Sequence, residues 1–399
     1  MGAKKNKKWI KFRHTVVTNL LFPIIYPYSR IKYGIKIEKI ADSKRQYLVL
    51  LNHQTPFDQF FVGMSFNRKT MYYLATEDIF SKGMLSKIIK FLVAPIPIKK
   101  QTTDIKAVMT CIRVAREGGS IVIAPEGNRT YSGRTEYMNP AIVSLARKLN
   151  LPIALYRLEG GYGIQPRWSD VTRKGKMRGY VYEVIEPEEY KSLADDELFE
   201  RIKKGLYVNE AKADGEFFHK NRANYLERCI YVCPFCGLSE FHTSGAFIKC
   251  KKCGREAEYT VTKEFDGVGY SHPFRFAADW YDYQEQYING LDTTSFTDLP
   301  LYTESIKLYE IIPYKNRYLV KKEASVSLYG DRVTVDELTF DFETVSQVSV
   351  LGKNKLNIYY GDKLYQIKGS KRFNALKYLH FYYRYKNVKE DNNDKFLGL

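Results

Sequence analysis

The sequence is poor in cysteine and lacks long uninterrupted hydrophobic runs. Six cysteines in 399 residues are too few for a disulfide framework, and five of them lie between Cys229 and Cys253, which predicts metal binding in a reducing compartment. No internal repeat is visible, and no segment has the length and apolarity of a transmembrane helix. We therefore expect neither a disulfide-rich secreted protein nor a membrane-spanning one.

Hydrophobic side chains and positive charge are abundant. The chain is 44% hydrophobic and 15% aromatic, which excludes intrinsic disorder. Its length exceeds what one hydrophobic core organises, so about two or three domains are expected. The formal net charge of +18, from 63 Lys and Arg against 45 Asp and Glu, predicts an anionic partner. Nucleic acid, acidic lipid and a phosphorylated substrate all satisfy this prediction.

Residues 1–45 are interpreted as a basic amphipathic segment that lies at a membrane interface. Six cationic residues and no acidic residue precede Thr15. The expected aromatic anchors are Trp9, Phe12, Phe22 and Tyr26. Pro23 and Pro27 interrupt the apolar stretch, and no small-residue cleavage site follows it. We expect a peripheral protein at the cytoplasmic face of the membrane. The alternative is an ordinary first helix packed on the protein.

Residues 46–228 are predicted to form an α/β domain with a helical extension. Short continuous apolar runs alternate with helical periodicity, which indicates a mainly parallel sheet with flanking helices. The candidate strands begin at Tyr47, Met71, Ser120 and Pro152. One helix is indicated by apolar residues at Ile105, Val108, Met109 and Ile112 and by Gly118-Gly119 after it.

The first candidate site follows the strand that ends at Leu51, in the run Asn52-His53-Gln54-Thr55-Pro56-Phe57-Asp58. Thr55 is the expected N-cap of the next helix and Pro56 its first residue, which places Asp58 in the first turn. From there its carboxylate can accept the Nδ1 proton of His53 and leave Nε2 as a general base. The alternative is a helix-capping carboxylate beside an ordinary loop histidine.

The second candidate site follows the strand at Ser120, in the run Ala124-Pro125-Glu126-Gly127-Asn128-Arg129-Thr130. Ligands of α/β proteins bind at such carboxyl ends of strands. Gly127 lets the backbone approach a ligand, and Arg129 offers donors suited to phosphate. Glu126 could orient a hydroxyl group or hold the arginine. The alternative is a turn with a surface ion pair.

Together these motifs resemble the glycerolipid acyltransferases, the family of 1-acyl-glycerol-3-phosphate acyltransferases. The first family motif, Asn-His-(four residues)-Asp, is matched by Asn52, His53 and Asp58. The third, Pro-Glu-Gly-Thr-Arg-Ser, is approached by the run from Pro125 to Thr130, in which Asn128 replaces Thr and Thr130 replaces Ser.

The other two family motifs are also present in order. The second, an apolar strand ending in a basic residue, is similar to Ile96-Pro97-Ile98-Lys99-Lys100, with Lys100 where the family usually has Arg. This departure loses a bidentate phosphate clamp. The fourth, an apolar-Pro-apolar strand, is matched by Leu151-Pro152-Ile153. The resemblance covers roughly residues 45–190.

The resemblance implies direct acyl transfer. His53, aided by Asp58, would deprotonate an acceptor hydroxyl that attacks an acyl thioester of coenzyme A or acyl carrier protein. The implied acceptor is lysophosphatidate, and the acceptor-binding residues would be Asn52, Lys100, Glu126, Gly127, Asn128, Arg129 and Thr130. Another lysophospholipid or a glycolipid is an alternative acceptor. No acyl-enzyme is required, which agrees with the lack of a Gly-x-Ser-x-Gly motif.

Residues 229–262 carry a zinc-ribbon pattern. Cys233-Pro-Phe-Cys236-Gly and Cys250-Lys-Lys-Cys253-Gly form two knuckles separated by thirteen residues. Four thiolates would close a tetrahedral structural zinc site with no position for substrate. Zinc ribbons often bind nucleic acid, but a scaffold role is favoured here. The alternative from a different functional class is a zinc-ribbon protein that binds nucleic acid or serves as a scaffold and whose acyltransferase-like domain is inert.

The rest of the chain is divided by its composition and hydrophobic pattern. Residues 263–303 are aromatic-rich and are interpreted as a connector, and residues 390–399 as a frayed tail. Residues 304–389 predict a small β-rich domain closed by a C-terminal helix, which resembles a pleckstrin-homology-like domain. Its basic residues, which either face anionic lipid or are simply solvated, are Lys315, Arg317, Lys321 and Lys322.

Overall fold

A computed structural model describes residues 8–76, 79–80, 83–98, 104–312, 316–392 and 395–399. The helices are α1 (Phe12–Tyr33), α2 (Asp58–Ser65), α3 (Met84–Leu92), α4 (Ile105–Arg116), α5 (Ala141–Leu149), α6 (Gly161–Ile164), α7 (Pro187–Ser192), α8 (Asp195–Leu206), α9 (Ala277–Asn289) and α10 (Ala375–Lys389). The strands of the first sheet are β1 (Ile35–Ile37), β2 (Leu48–Leu51), β3 (Met71–Thr76), β4 (Ile96–Ile98), β5 (Ser120–Ile123), β6 (Ile153–Glu159) and β7 (Met177–Ile185).

The first sheet has the order β1-β7-β6-β2-β5-β3-β4. All its strand pairs are parallel except β6 with β7. Every residue of β2 and β5 is buried, which explains why these strands are continuous apolar runs rather than alternating ones. The predicted α/β domain with a mainly parallel sheet is confirmed.

The cysteine-containing unit follows. Its strands are β8 (Val232–Cys233), β9 (Gly237–Leu238), β10 (Phe241–Ser244), β11 (Phe247–Cys250), β12 (Glu256–Tyr259) and β13 (Phe265–Gly267). The strands β8 and β9 form a hairpin, and β10 to β13 form an antiparallel sheet in sequence order. The segment 263–303, interpreted above as a connector, contributes β13 to this sheet and contains the helix α9.

The C-terminal unit, called here the β domain, is antiparallel. Its strands are β14 (Tyr302–Ile311), β15 (Arg317–Leu328), β16 (Arg332–Val335), β17 (Leu338–Asp341), β18 (Val345–Leu351), β19 (Lys355–Tyr360) and β20 (Lys363–Gly369). They form one sheet in the order β17-β16-β15-β14-β20-β19-β18, and α10 packs against β18 and β19. The predicted β-rich domain closed by a helix is confirmed. Lys315 lies outside the described residues.

The segment 1–45 is partly integrated into the α/β domain. His14, Ser29 and Tyr33 on α1 are buried, and β1 joins the edge of the sheet beside β7. Of the expected aromatic anchors Phe12 is 84% exposed, whereas Trp9, Phe22 and Tyr26 are half-buried against the domain. Among the residues described, no helix is long and apolar enough to cross a bilayer. Residues 1–7 lie outside the described residues.

Two details differ from the sequence expectations. In α4 the buried side is formed by Ala107, Cys111 and Val114, while Ile105 and Met109 face outward. The frayed tail is wrong for the described residues 395–399: Leu397 is 1% exposed and the Phe396 ring lies 4.8 Å from that of Tyr137. These apolar tail side chains bury themselves on a surface formed by distant residues, which local composition could not reveal.

Candidate active site

His53 and Asp58 lie together at the carboxyl end of β2. His53 Nδ1 is 2.8 Å from Asp58 Oδ2, the contact that their spacing predicts. The Asp58 side chain is 2% exposed and that of His53 is 29% exposed, so the imidazole reaches solvent while its partner does not. A buried carboxylate that accepts from Nδ1 leaves Nε2 as the unprotonated nitrogen of the neutral imidazole, which can act as a base.

The Asp58 carboxylate is held by its own loop. It accepts hydrogen bonds from the backbone N–H of Gln54 at 2.7 Å and of Thr55 at 2.9 Å, and from the Thr55 hydroxyl at 2.6 Å. These donors hold the carboxylate in one orientation. The helix α2 begins at Asp58 with Phe57 as its N-cap, so Thr55 and Pro56 lie in the preceding turn rather than at the predicted helix start.

Asn52 plays a different part from the predicted substrate contact. It is fully buried, its Nδ2 donates to the Leu158 carbonyl at 2.8 Å, and its Oδ1 accepts from the Leu158 backbone N–H at 2.8 Å. The amide therefore satisfies the backbone of the neighbouring strand β6 and fixes the point from which His53 projects. Its partner is 106 residues away, so no local signal revealed this role.

Glu126 joins the two candidate sites. Its carboxylate accepts from the backbone N–H of His53 at 2.9 Å and from that of Glu136 at 3.2 Å. Burial raises the pKa of Glu126 to about 8. The structure contains no ion pair between Glu126 and Arg129 among the residues it describes, so the predicted hold on the arginine is replaced by a hold on two backbone segments.

The Arg129 guanidinium is enclosed and incompletely paired. Its Nη1 is buried and has no hydrogen-bond partner within the described ranges. Burial and the neighbouring charge of Arg167 lower the pKa of Arg129 to about 10, so it remains cationic at neutral pH. A cation with an unused donor fits an anionic group of a ligand.

The remaining predicted acceptor-binding residues differ in their surroundings. Gly127 has φ +66° and open space around its Cα, so its backbone conformation requires glycine. Asn128 is half-buried. The Thr130 hydroxyl lies 3.1 Å from the Ser132 hydroxyl and accepts from the Gly133 backbone N–H, so it stabilises the loop instead of facing a ligand. Lys100 lies outside the described residues.

Sequence reasoning missed two residues at this site. Gln54 is 1% exposed, and neither atom of its side-chain amide has a partner in the region that the structure describes. Arg167 donates to the Arg129 carbonyl at 2.9 Å, although it lies outside every motif. Burial of Gln54 and the long-range partner of Arg167 are tertiary properties, and neither leaves a local pattern.

The four cysteines of the two knuckles converge. Cys233, Cys236, Cys250 and Cys253 place their sulfur atoms within 4.8 Å of one another. The Sγ–Sγ distances are 3.8 Å for Cys233 with Cys253 and 3.6 Å for Cys236 with Cys250. A tetrahedral ion with Zn–S bonds of about 2.3 Å requires sulfur atoms about 3.8 Å apart. The cluster could therefore hold a metal ion of this size.

Comparison with known proteins agrees with the motif analysis. Residues 34–156 match the family model Acyltransferase, which confirms the resemblance for this part of the chain. The domain that contains the match is called here the acyltransferase-family domain. The crystal structure of the 1-acyl-sn-glycerophosphate (LPA) acyltransferase PlsC from Thermotoga maritima is similar, with 17% identity and a TM-score of 0.38 over 48% of this chain and 75% of that chain. No curated protein matches the sequence significantly.

The Asn52 amide provides a first test of how the site is held. In Asn52→Asp the donor to the Leu158 carbonyl is lost and a carboxylate is buried against it, so we expect the free energy of unfolding to fall by about 1–3 kcal/mol or more. Urea unfolding followed by circular dichroism measures the change. The control is Asn67→Asp on the exposed surface, which should shift stability by less than about 0.5 kcal/mol. Equal effects of both substitutions would contradict the assigned role.

Proposed function

We propose that the acyltransferase-family domain transfers an acyl group to the hydroxyl group of lysophosphatidate at a membrane surface. The donor is an acyl thioester of coenzyme A or of acyl carrier protein. The observation that carries the proposal is the His53 and Asp58 pair, with 2.8 Å between Nδ1 and Oδ2 and a buried carboxylate. An inert scaffold has no need of a partly exposed histidine whose Nδ1 is paired with a buried carboxylate.

The proposed reaction uses His53 as a general base. Its Nε2 takes the proton of the acceptor hydroxyl as the oxygen attacks the thioester carbon, and Asp58 stabilises the imidazolium that forms. Collapse of the tetrahedral intermediate breaks the C–S bond, and the imidazolium returns the proton to the leaving thiolate. The products are an ester and a free thiol, and the enzyme is regenerated without a covalent intermediate.

Arg129 supports a phosphate-bearing acceptor. Its unpartnered Nη1 and its charge meet the requirements of a phosphate monoester. Asp58 lies close enough to act electrostatically on this guanidinium, which supports a position for the acceptor phosphate near the general base. The net charge of +18 favours the same class of ligand.

An apolar surface, called here the apolar face, supports attachment to a membrane. The helices α1 and α3 pack together where Arg13 Nε donates to the Phe91 carbonyl at 2.7 Å. The exposed apolar side chains of this face are Phe12, Leu20, Ile24 and Ile31 on α1 and Met84, Ile88 and Phe91 on α3. Basic side chains accompany them, which suits insertion into an anionic leaflet.

The decisive experiment for the function is an acceptor panel. Full-length protein is mixed with oleoyl-CoA or with oleoyl-acyl carrier protein, and with one acceptor from the panel of lysophosphatidate, lysophosphatidylcholine, lysophosphatidylglycerol and monoacylglycerol. Release of free thiol and formation of labelled product are followed. We expect transfer to lysophosphatidate to exceed the others. Transfer to a different acceptor would identify another member of this reaction class, whereas no transfer from either donor carrier would favour the scaffold alternative.

His53→Ala should abolish transfer in a folded protein, because removing a general base costs about 10²- to 10⁴-fold in rate. Asp58→Asn should also be strongly impaired, since an amide neither stabilises imidazolium nor enforces the tautomer. Steady-state rates and thermal unfolding are measured together. The control His242→Ala alters an exposed histidine of β10 and should leave the rate unchanged. Near-normal turnover by His53→Ala would refute the mechanism.

The apolar face should dominate vesicle binding. Leu20→Glu with Ile24→Glu removes two apolar side chains and adds two negative charges, so we expect binding to anionic vesicles to fall by about tenfold or more. The matched control, Leu299→Glu, changes another exposed leucine far along the chain. Point substitutions are used because deleting α1 would remove buried Tyr33.

Co-sedimentation with anionic and neutral vesicles is the measurement, at about 0.1 M and about 1 M salt, where the Debye length falls from about 10 Å to about 3 Å. Binding that is insensitive to the substitutions, to lipid charge and to salt would mean that α1 and α3 are simply packed helices.

We further propose that the metal held by the four cysteines is zinc. Four thiolates would complete its coordination, so the ion would stabilise the fold and leave no position for a substrate. Metal analysis of reduced full-length protein should give one zinc per chain. Cys233→Ser or Cys250→Ser should lose the zinc together with solubility, whereas Cys229→Ser, at a buried cysteine outside the cluster, should keep it. Reduced protein that purifies without zinc would contradict the assignment.

A further inference from the structure

A turn of the β domain lies against the Arg129 loop. This turn, residues 351–354, runs from the last residue of β18 to the start of β19 and is called here the clamp turn. The Arg129 loop comprises residues 126–136. Arg167 connects them: Nη1 donates to the Arg129 carbonyl at 2.9 Å, Nε to the Gly352 carbonyl at 2.9 Å, and Nη2 to the Val350 carbonyl at 3.1 Å. One buried guanidinium thus spans two domains.

A second set of hydrogen bonds joins the clamp turn to the Arg129 loop. The Tyr131 hydroxyl donates to the Lys353 carbonyl at 2.9 Å, and the Arg167 guanidinium lies 4.3 Å above the Tyr131 ring. Lys353 Nζ in turn donates to the Ser169 carbonyl at 2.5 Å and to Asp170 Oδ1 at 2.9 Å. The clamp turn therefore holds both the Arg129 loop and the segment that carries Arg167.

The positive charge of Arg167 has no carboxylate partner in the part of the chain that is described. Arg167 is 3% exposed, and its hydrogen-bond acceptors there are backbone carbonyls. Lys353, by contrast, is paired with Asp170. The charges of Arg167 and Lys353 both interact with that of Arg129. A buried cation without a counter-ion, beside a second cation with an unused donor, favours a site that an anion enters.

The Arg129 loop needs an external support. The turn at Gly127 lies in open space, and among the residues described Arg129 Nη1 has no hydrogen-bond partner. Glu126, at one end of the loop, accepts from the backbone N–H of Glu136 at the other end and from that of His53 in the neighbouring loop. Between those ends, the carbonyl of Arg129 is fixed by Arg167 and the ring of Tyr131 by the clamp turn.

We infer that Arg167 is a positioning residue through which the clamp turn of the β domain places Arg129 for binding an anionic acceptor. This inference rests on the proposed function for its kinetic consequence. The β domain is then a component of the acceptor site rather than an appended module. Because positioning affects the bound phosphate and not the general base, acceptor affinity should change and thioester chemistry should not.

The experiment compares two variants with one control. Arg167→Lys keeps the charge but loses the fork that reaches three carbonyls, and we expect the KM for lysophosphatidate to rise about 10- to 100-fold with little change in kcat. Tyr131→Phe removes one hydrogen bond and keeps the ring, so a smaller rise of about 3- to 10-fold is expected. The control Arg332→Lys alters a guanidinium that donates to the Thr297 carbonyl, away from the Arg129 loop.

Two further measurements separate positioning from general damage. The KM for oleoyl-CoA and the use of uncharged monoacylglycerol should be unchanged in both variants, since neither involves the phosphate. A fall in kcat with unchanged acceptor KM would overturn the inference. So would recovery of wild-type acceptor KM by Arg167→Lys, because charge alone would then suffice.

Hydrogen exchange gives a readout that does not depend on activity. In Arg167→Lys without substrate, amide exchange should accelerate in residues 126–136 and 351–354 together, while Arg332→Lys should leave both segments as in the wild type. Unchanged exchange in both segments would overturn the inference even if the enzyme assay succeeds. Failure of wild-type protein to acylate any acceptor would instead count against the proposed function, and the exchange experiment would still decide the contact.

Discussion

The hydrogen bond from the His53 backbone N–H to the Glu126 carboxylate is the interaction on which the site depends. Parallel pairing of β2 with β5 brings two strand ends to one edge of the sheet, although the bonded residues are 73 positions apart. The second oxygen of Glu126 accepts from Glu136, so one side chain fixes the histidine loop and both ends of the Arg129 loop. Burial raises the pKa of this carboxyl to about 8, and among the described residues it forms no ion pair with Arg129, so the positive charge of Arg129 stays available to a ligand.

The parts that sequence predicts well are those fixed by short-range geometry. The contact between His53 and Asp58 follows from five residues of spacing within one loop, and continuous apolar runs indicate a parallel sheet wherever both faces are covered. Asn52 and Arg167 show the limit. Their partners lie at Leu158 and at Val350 and Gly352, so their roles depend on the completed fold. Periodicity likewise identified the α4 residues that are apolar, but not which of them have a neighbour to cover them.

The C-terminal units are continuous with the acyltransferase-family domain through a shared core. Tyr131 and Trp168 belong to the same buried cluster as the side chains of the cysteine unit and the β domain. Arg228 reinforces this junction, since it donates to the Trp168 carbonyl at 2.8 Å, to both oxygens of Asp170 at 2.9 Å and to the Lys371 carbonyl at 2.6 Å. Removing the β domain would therefore uncover apolar surface directly behind the Arg129 loop.

This arrangement also explains why incompletely paired polar groups persist beside the general base. An enclosed donor without a partner costs about 1–3 kcal/mol, and both the Arg129 guanidinium and the Gln54 amide contain such atoms. A surrounding structure must supply that free energy, and the shared core and the Arg167 contacts are where it is available. Under the proposed function, an anionic acceptor that pairs with Arg129 would recover this cost on binding. The free energy that the unpaired donor costs in the free protein would then contribute to affinity for the ligand, provided that the β domain holds the loop in place.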